Sequence, residues 1–325
     1  MCSLLMILFE PDIYLWLMLL LLVALSVLLY LLVRRSHRRW LRHLVFLAIM
    51  LVWLGFIYGA FWEVRVLTVR RVEFASADLP SSFDGYRIVH FSDVHVGSLT
   101  GWRQSLLHRV VDSINAQHAD LIVFTGDLQN KLPSELPAHQ NLLSGLKARD
   151  GICSVLGNHD YPSYIDCDDS LKNQYKASTC AAETAMGWQL LLNTSRLIRR
   201  GADSLVVAGM ENDGEGRFPQ QGDISAALSG IDNQAFVVML EHDPTSWHRK
   251  ILPESHCQLT LSGHTHGGQV SLFGWTSSKL HYREDAGMYY DGDRAMNVST
   301  GVGGVIPFRF GIAPEIVVVT LRKKK

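Results

Sequence analysis

The sequence predicts an α/β domain carried behind a membrane-anchoring hairpin, on three observations. Two long uncharged apolar stretches open the chain, short β-branched runs alternate with helical periodicity after about residue 72, and polar side chains able to hold metal follow most of those runs. The expected units are residues 1–71, the hairpin, and 72–325, the domain.

The stretches 13–33 and 44–62 hold 21 and 19 residues without a formal charge, each enough to cross about 30 Å of hydrocarbon as a helix. Tyr14, Trp16, Tyr30, Trp53, Tyr58 and Trp62 lie mostly near their ends, where amphipathic rings favour the interface. Nothing basic precedes the first stretch, which also exceeds a secretory signal core, so the anchor is expected to stay attached. The connection 34–43 contains Arg34, Arg35, Arg38, Arg39 and Arg42, against Glu10 and Asp12 on the N-terminal flank. The positive-inside rule places that connection in the cytoplasm and both ends of the chain outside, with Arg65, Arg70 and Arg71 pulling the other way.

Composition removes several function classes. Hydrophobic residues at 48% and charged residues at 19% argue against disorder and against an extended charged coiled coil. Residues 1–71 carry a net +5 and the remainder a net −6, so the domain lacks the basic footprint of a nucleic-acid binder. Cys2, Cys153, Cys167, Cys180 and Cys257 form neither a Cys-x-x-Cys pair nor a dense framework. Cys167 and Cys180, read as lying in a loop, are left open between free thiols and a disulfide. Transport is disfavoured because neither stretch has an ionisable residue at its centre.

Six runs read as buried strands: 87–92, 121–124, 152–156, 205–208, 236–240 and 258–261. Leu106, Leu107, Val110, Val111 and Ile114 recur at helical spacing between the first two, and 142–146 suggests another helix. Open α/β sheets gather ligands at the C-terminal ends of their strands. Here Asp93-Val94-His95, Gly126-Asp127, Gly157-Asn158-His159-Asp160, Glu241-His242 and Gly263-His264-Thr265-His266 follow the first, second, third, fifth and sixth runs. Singly, each has an ordinary reading as a turn, an N-cap or a strand end. Together they supply carboxylate, carboxamide and imidazole donors without thiolate, a set that suits Mn²⁺, Fe or Zn²⁺. The set is large enough for two divalent ions sharing one carboxylate, the arrangement that clamps an in-line displacement at phosphorus.

These five motifs, in this order over 86–269, resemble the signature of the calcineurin-like metallophosphoesterases. The segments Gly301-Val302-Gly303-Gly304, Pro307-Phe308-Arg309-Phe310-Gly311 and Pro314-Glu315-Ile316 resemble the C-terminal part of that family's bacterial, often membrane-attached branch. The resemblance implies a four-layer αββα sandwich of two mixed sheets. It implies one metal on Asp93, His95 and His266, a second on Asn158, His242 and His264, and Asp127 bridging them. A hydroxide shared by the ions would attack phosphorus, and His159 would contact a phosphate oxygen and protonate the leaving group. The implied location is a bacterial cytoplasmic membrane, with the charge pattern favouring an extracytoplasmic domain. Lipid-precursor pyrophosphatase activity, found among relatives, would need the cytoplasmic face instead.

One departure stands out. Where the family pattern has a second carboxylate paired with the catalytic histidine, this chain has Asn130, expected to orient the ring without stabilising its charge. Asp160, Gln269, Arg309 and Tyr161-Pro162 are candidates for supporting or substrate-lining roles, 210–213 for a position at the site's edge, and 322–325 for a solvated tail. The leading functional reading is a membrane-anchored phosphohydrolase acting on a phosphodiester or pyrophosphate, with a phosphorylated, lipid-linked or cell-envelope substrate and membrane lipid as partners. A broad phosphomonoesterase is the alternative, and an idle metal-binding scaffold is disfavoured by the full ligand set. No protein partner is implied.

Overall fold

The computed structural model describes residues 11–324, so Cys2, Glu10 and Lys325 lie outside it. The first apolar stretch forms helix α1 (Pro11–Val33) and the second forms α2 (Arg39–Ile57), which continues through a π-turn and a 3₁₀ turn to Arg65. Both runs are long and apolar enough to cross a membrane. Helix α2 starts at Arg39, so the connection expected over 34–43 shortens to 34–38. Midway along the hairpin the Trp53 indole N–H donates to the Ser26 hydroxyl at 3.1 Å, a polar lock between surfaces that are otherwise apolar.

Fourteen strands follow: β1 (Thr68–Ser76), β2 (Arg87–Phe91), β3 (Leu121–Thr125), β4 (Ile152–Val155), β5 (Gln189–Leu190), β6 (Thr194–Arg200), β7 (Asp203–Gly209), β8 (Val237–Leu240), β9 (Leu259–Ser262), β10 (Ser271–Leu272), β11 (Trp275–Thr276), β12 (Gly287–Asp291), β13 (Arg294–Val298) and β14 (Glu315–Lys323). One sheet has the order β1-β14-β2-β3-β4-β5 and the other β12-β13-β9-β8-β7-β6, while β10 and β11 form a separate hairpin. Each large sheet mixes parallel and antiparallel pairs. All six expected strands are present, and α3 (Gln104–Asn115) buries the five apolar residues that predicted it. The helix expected over 142–146 is α4 (Pro137–Leu143), and α5 (Asp169–Ala185) and α6 (Ile224–Ala227) complete the helices used below.

The strands read as unbroken apolar runs because both faces are buried. Ile88, Leu121, Val123 and Val155 face the second sheet and meet Leu205, Val207, Val238 and Leu259 in the inter-sheet core. Their neighbours Val89, Ile122 and Phe124 face outward against α3 and α4. Val206, Val237, Met239 and Met296 do the same on the far side, beneath Trp247 and Ile251. The result is four layers, helix on sheet on sheet on helix.

Strands β1 and β14 were not foreseen. β1 runs across the boundary expected between 71 and 72, and β14 takes up Arg322 and Lys323 of the expected tail. Arg322 pairs with Glu73 at 2.8 Å and Lys324 with Asp293 at 3.0 Å, so residues 322–324 are folded against the domain. Cys167 and Cys180 are unbridged. Cys180 sits in α5, eleven residues along a helix rising about 1.5 Å per residue, far beyond the roughly 7 Å limit between bridged Cα atoms.

Glu183, on the buried face of α5, accepts a hydrogen bond from Ser154 and has one carboxyl oxygen without a partner among the described residues. Burial, helped by the nearby Asp160 charge, raises its pKa well above the carboxylate range. The folded state then holds a proton the unfolded chain has released, so stability falls as pH rises above the ordinary carboxylate value. Glu183→Gln is expected to raise the melting temperature at neutral and alkaline pH, with the gain vanishing as pH drops below that value. Thermal unfolding of both proteins across a pH series measures it.

Candidate active site

The C-terminal ends of β2, β3, β4, β8 and β9 lie along one edge of the sandwich, and each delivers one of the expected motifs. The chain turns sharply there. Asp93 (φ 53°), His95 (46°), Asp127 (60°), His264 (72°) and His266 (53°) all adopt left-handed backbone conformations that non-glycine residues avoid. Gly126 allows two of these turns to touch, since a Cβ on it would lie 2.2 Å from the Gly157 amide nitrogen.

Asp160 ties the same two turns together. Its buried carboxylate accepts the N–H groups of Asp127 (2.8 Å), Leu128 (3.0 Å), Gln129 (3.3 Å) and Gly157 (2.9 Å). Burial and the adjacent Asp127 charge push its pKa up to about 7, opposed by the amide donors.

All seven candidate ligands converge. Asp93, His95 and His266 bring ligand atoms together in one group, and Asp127, His242 and His264 in another. The Nε2 atoms of His95 and His266 face each other at 3.2 Å, and Asp127 reaches the Nε2 atoms of His95 at 3.5 Å and His242 at 3.3 Å. The Asn158 carbonyl oxygen sits 3.1 Å from His242 Nε2 and 2.7 Å from His264 Nδ1. His242 Nδ1 donates to the Thr125 carbonyl at 2.6 Å, which turns Nε2 into the cluster, and against burial the Asp127 and Asp93 charges hold the ring's pKa well above the imidazole range. Burial lowers His95 to about 3 and His266 well below the imidazole range, so both rings are neutral and free to ligate. Burial pushes Asp93 up to about 7, with His242 opposing and Asp127 adding. Burial alone would also raise Asp127, but His242, His159 and His95 together hold it well below the carboxylate range. A dense group of buried N and O donors aimed at common centres, with nitrogen lone pairs facing one another, fits divalent cations.

His159 lies at the mouth of this cluster, its ring edge-on to His95 with centroids 4.8 Å apart. Its Nδ1 faces the backbone carbonyl of Asn130 at 2.6 Å. This corrects the expected role of Asn130: the main chain orients the ring, while the Asn130 side chain accepts from the Ser98 N–H at 3.0 Å. Two further candidates sit in supporting positions. Gln269 donates to the Ile306 and Phe308 carbonyls at 2.7 Å each, holding a loop together. Arg309 is buried beneath the site, where Nη2 donates to the carbonyls of Thr300, Gly301 and Gly303.

Sequence reasoning missed Tyr164, Tyr282, Phe218 and Asp243. The Asn158 side-chain N–H donates to the Tyr164 hydroxyl at 2.7 Å, which turns the carbonyl oxygen inward, and the Tyr164 ring stacks on His159 at 4.4 Å. Tyr282 approaches His264 Nε2 at 2.9 Å, Asp243 approaches it at 3.4 Å, and Phe218 packs edge-on against the ring. Beyond Tyr161 opens a cleft of about 450 Å³ whose walls include Lys172, Lys176 and Arg217. Glu211, from the 210–213 segment, accepts from Tyr161 and Lys176 beside that cleft rather than joining the ligands.

Two measurements probe this arrangement. Asp160→Ala leaves buried N–H groups unpaired on both ligand turns and is expected to cost about 3 kcal/mol or more in denaturant unfolding. Asn130→Asp is expected to move the alkaline limb of the activity profile by less than the ~1 unit that a direct carboxylate–imidazolium pair would give.

Residues 86–268 match the family model described as calcineurin-like phosphoesterase. An uncharacterised metallophosphoesterase of Bacillus subtilis is 30% identical over 82% of this chain and 90% of its own length. A Danio rerio protein named transmembrane protein with metallophosphoesterase domain is 30% identical over 82% of this chain, which spans 60% of that longer protein. A UDP-2,3-diacylglucosamine pyrophosphatase of Chlamydia trachomatis is 25% identical over 81% of this chain and 92% of its own. Metallophosphoesterases use divalent metals, and the clustered donors offer the ligands. With the family model covering more than half of the chain and its motifs gathered in one buried cluster, the protein belongs to the calcineurin-like phosphoesterases and is a phosphoester hydrolase.

Proposed function

We propose that this protein is a membrane-anchored, dinuclear metal-dependent phosphohydrolase that cleaves a phosphodiester or pyrophosphate on a lipid-linked or cell-envelope substrate. The observation that carries the reading is the convergence of six Asp and His ligand atoms in adjoining groups beside His159, joined by the Asn158 carbonyl oxygen. In this reading Asp93, His95 and His266 hold one cation, Asn158, His242 and His264 the other, and Asp127 belongs to both. When bound, the two cations supply Lewis acidity toward phosphoryl oxygens and activation of water. The protein supplies the rest. Thr125, Asn130 and Tyr164 fix the orientation of His242, His159 and Asn158. With its Nδ1 proton committed to a carbonyl, His159 exchanges its other proton at Nε2 and gives it to the departing oxygen. Arg217 offers positive charge to a second anionic group of the substrate, beside Lys172 and Lys176, which pair with Asp169 and Glu211.

The anchor supports the choice of substrate. Strand β14 pairs Glu315 with Thr68 of β1 and Val317 with His90 of β2, so the point where the chain leaves the apolar hairpin is level with Ser92, next to Asp93. The ligand edge is thus the anchor edge. The relative named as a UDP-2,3-diacylglucosamine pyrophosphatase supports a lipid-linked pyrophosphate as an alternative substrate, one that would set the domain on the cytoplasmic face rather than on the extracytoplasmic side.

The proposed location is a bacterial cytoplasmic membrane with the domain on the extracytoplasmic side. Five arginines lie in or beside the hairpin connection, against Arg65, Arg70 and Arg71 beyond the second run, and that excess favours this orientation. Asp12 pairs with Arg103 at 2.9 Å, which sets the start of α1 on the same side as the domain.

The test uses the full chain in lipid nanodiscs, stripped with chelator and resupplied with Mn²⁺. Hydrolysis of bis-para-nitrophenyl phosphate is expected to vanish and return, to exceed hydrolysis of the monoester, and to fall at least about a hundredfold in Asp127→Ala. Preference for the monoester would replace this reading with a broad phosphomonoesterase.

A further inference from the structure

After Gln269 the chain enters the hairpin of β10 and β11, which belongs to neither large sheet. Its apolar side chains meet solvent: Phe273 is fully exposed, and Leu272 (54%), Trp275 (51%) and, in the next turn, Leu280 (70%) are more than half exposed. Phe273 and Gly274 form the turn, with φ of 52° and 80°. A two-residue hairpin loop with both residues left-handed favours Asn-Gly, so a phenylalanine at its first position costs backbone energy that asparagine would avoid. Folding alone does not select Phe273.

The position of the hairpin indicates what it meets. Ser271 donates its N–H to the Phe310 carbonyl at 2.7 Å. The Phe310 ring packs edge-on against Tyr58 and covers Gly55, while Phe308 stacks on Phe56 at 5.9 Å, so this loop is seated on the last turns of the second apolar run. Phe61, Trp62 and Trp102, each more than two-fifths exposed, continue the apolar surface around the same junction. No Asp or Glu occurs from 255 to 283, and Lys279 and Arg283 are exposed beside the tip, Arg283 pairing with Glu284 at 3.2 Å.

We propose that the 270–275 hairpin, with Leu280, inserts into the headgroup boundary of the bilayer crossed by the two N-terminal helices. Its aromatic and leucine tip flanked by cations has the chemistry of an interfacial anchor, which reaches about 5–10 Å into that boundary. Insertion sets the rim of the ligand cluster, four residues from His266, against the lipid surface. A phosphoester carried on a lipid then reaches the site without leaving the membrane. This rests on the proposed function for the substrate, but not for insertion itself.

The test reconstitutes the full chain in liposomes of phosphatidylethanolamine and phosphatidylglycerol. Phe273→Cys and, as a control on the opposite strand edge, Gln234→Cys carry an environment-sensitive fluorophore, with the unsubstituted chain labelled in parallel as background. The label at 273 is expected to be quenched by nitroxide-bearing lipid and at least about threefold less by aqueous iodide than the label at 234. Equal iodide access at both positions overturns the proposal, as does protection from both quenchers at 273, which indicates a protein partner. Phe273→Asn, which suits the turn, is expected to keep the melting temperature or raise it. It should leave turnover of the water-soluble diester within about twofold and lower kcat/KM for a liposome-embedded diester about tenfold. Equal effects on the two substrates also overturn the proposal. If neither diester is hydrolysed by the unsubstituted chain, the functional reading fails and the quenching pattern still decides insertion.

Discussion

The buried carboxylate of Asp160 takes N–H groups from the turn carrying Asp127 and from the turn carrying Asn158, and so makes one rigid body of two ligand-bearing loops. The site depends on this because its candidate ligands sit on unfavourable backbone. Five of the seven lie in left-handed conformations, each costing on the order of 1 kcal/mol relative to ordinary turns. Left-handed geometry reverses the chain within a residue or two of each strand end, so several short side chains can meet at one point. A carboxylate that satisfies several amides at once offsets that cost where it is incurred.

Much of this was legible in the sequence, and the reason is burial. A strand covered on both faces must be apolar throughout, so β2, β3, β4, β7, β8 and β9 announce themselves, and the polar residues that follow mark where each strand leaves the core. Strand β1 carries Arg70, Arg71 and Glu73 on a half-exposed sheet edge, so its sequence reads as the charged flank of a span. Its partner β14 lies 247 residues away, and no local pattern encodes that pairing. The candidate ligands stand out in the sequence by residue type, which is what metal chemistry selects. Their supports were found less well, because backbone atoms carry no residue identity. Asn130 holds His159 through its carbonyl, and Gln269 and Arg309 act by donating to carbonyls. Tyr164 and Tyr282 come from loops that bear no periodic signal.

The membrane hairpin and the domain share an interface of small residues and aromatics. Gly59 lies so close to Phe308 and the Arg309 carbonyl that a Cβ would stand 2.6 Å and 2.7 Å from them. The Glu63 carboxylate accepts the Gly311 N–H at 2.7 Å, and Trp102 stacks on Phe61 while Arg65 and Arg103 lie over its ring. The segments that meet the anchor, 301–311, also lie beneath Asp93, where Gly303 donates its N–H to the Asp93 carbonyl at 2.7 Å. Anchor and site are therefore packed on opposite sides of the same loop.

Only Val66 and Leu67 separate the last helical residue of the second apolar run from β1. So short a tether, clamped on both sides, leaves the domain no freedom to swing, and the height and tilt of its cleft above the lipid are set by the fold. A swinging domain would sample a hemisphere of solution. Anchored as proposed, this one patrols a plane, and its encounters with the proposed lipid-linked substrate are governed by lateral diffusion and by how far the phosphorus atom protrudes from the bilayer.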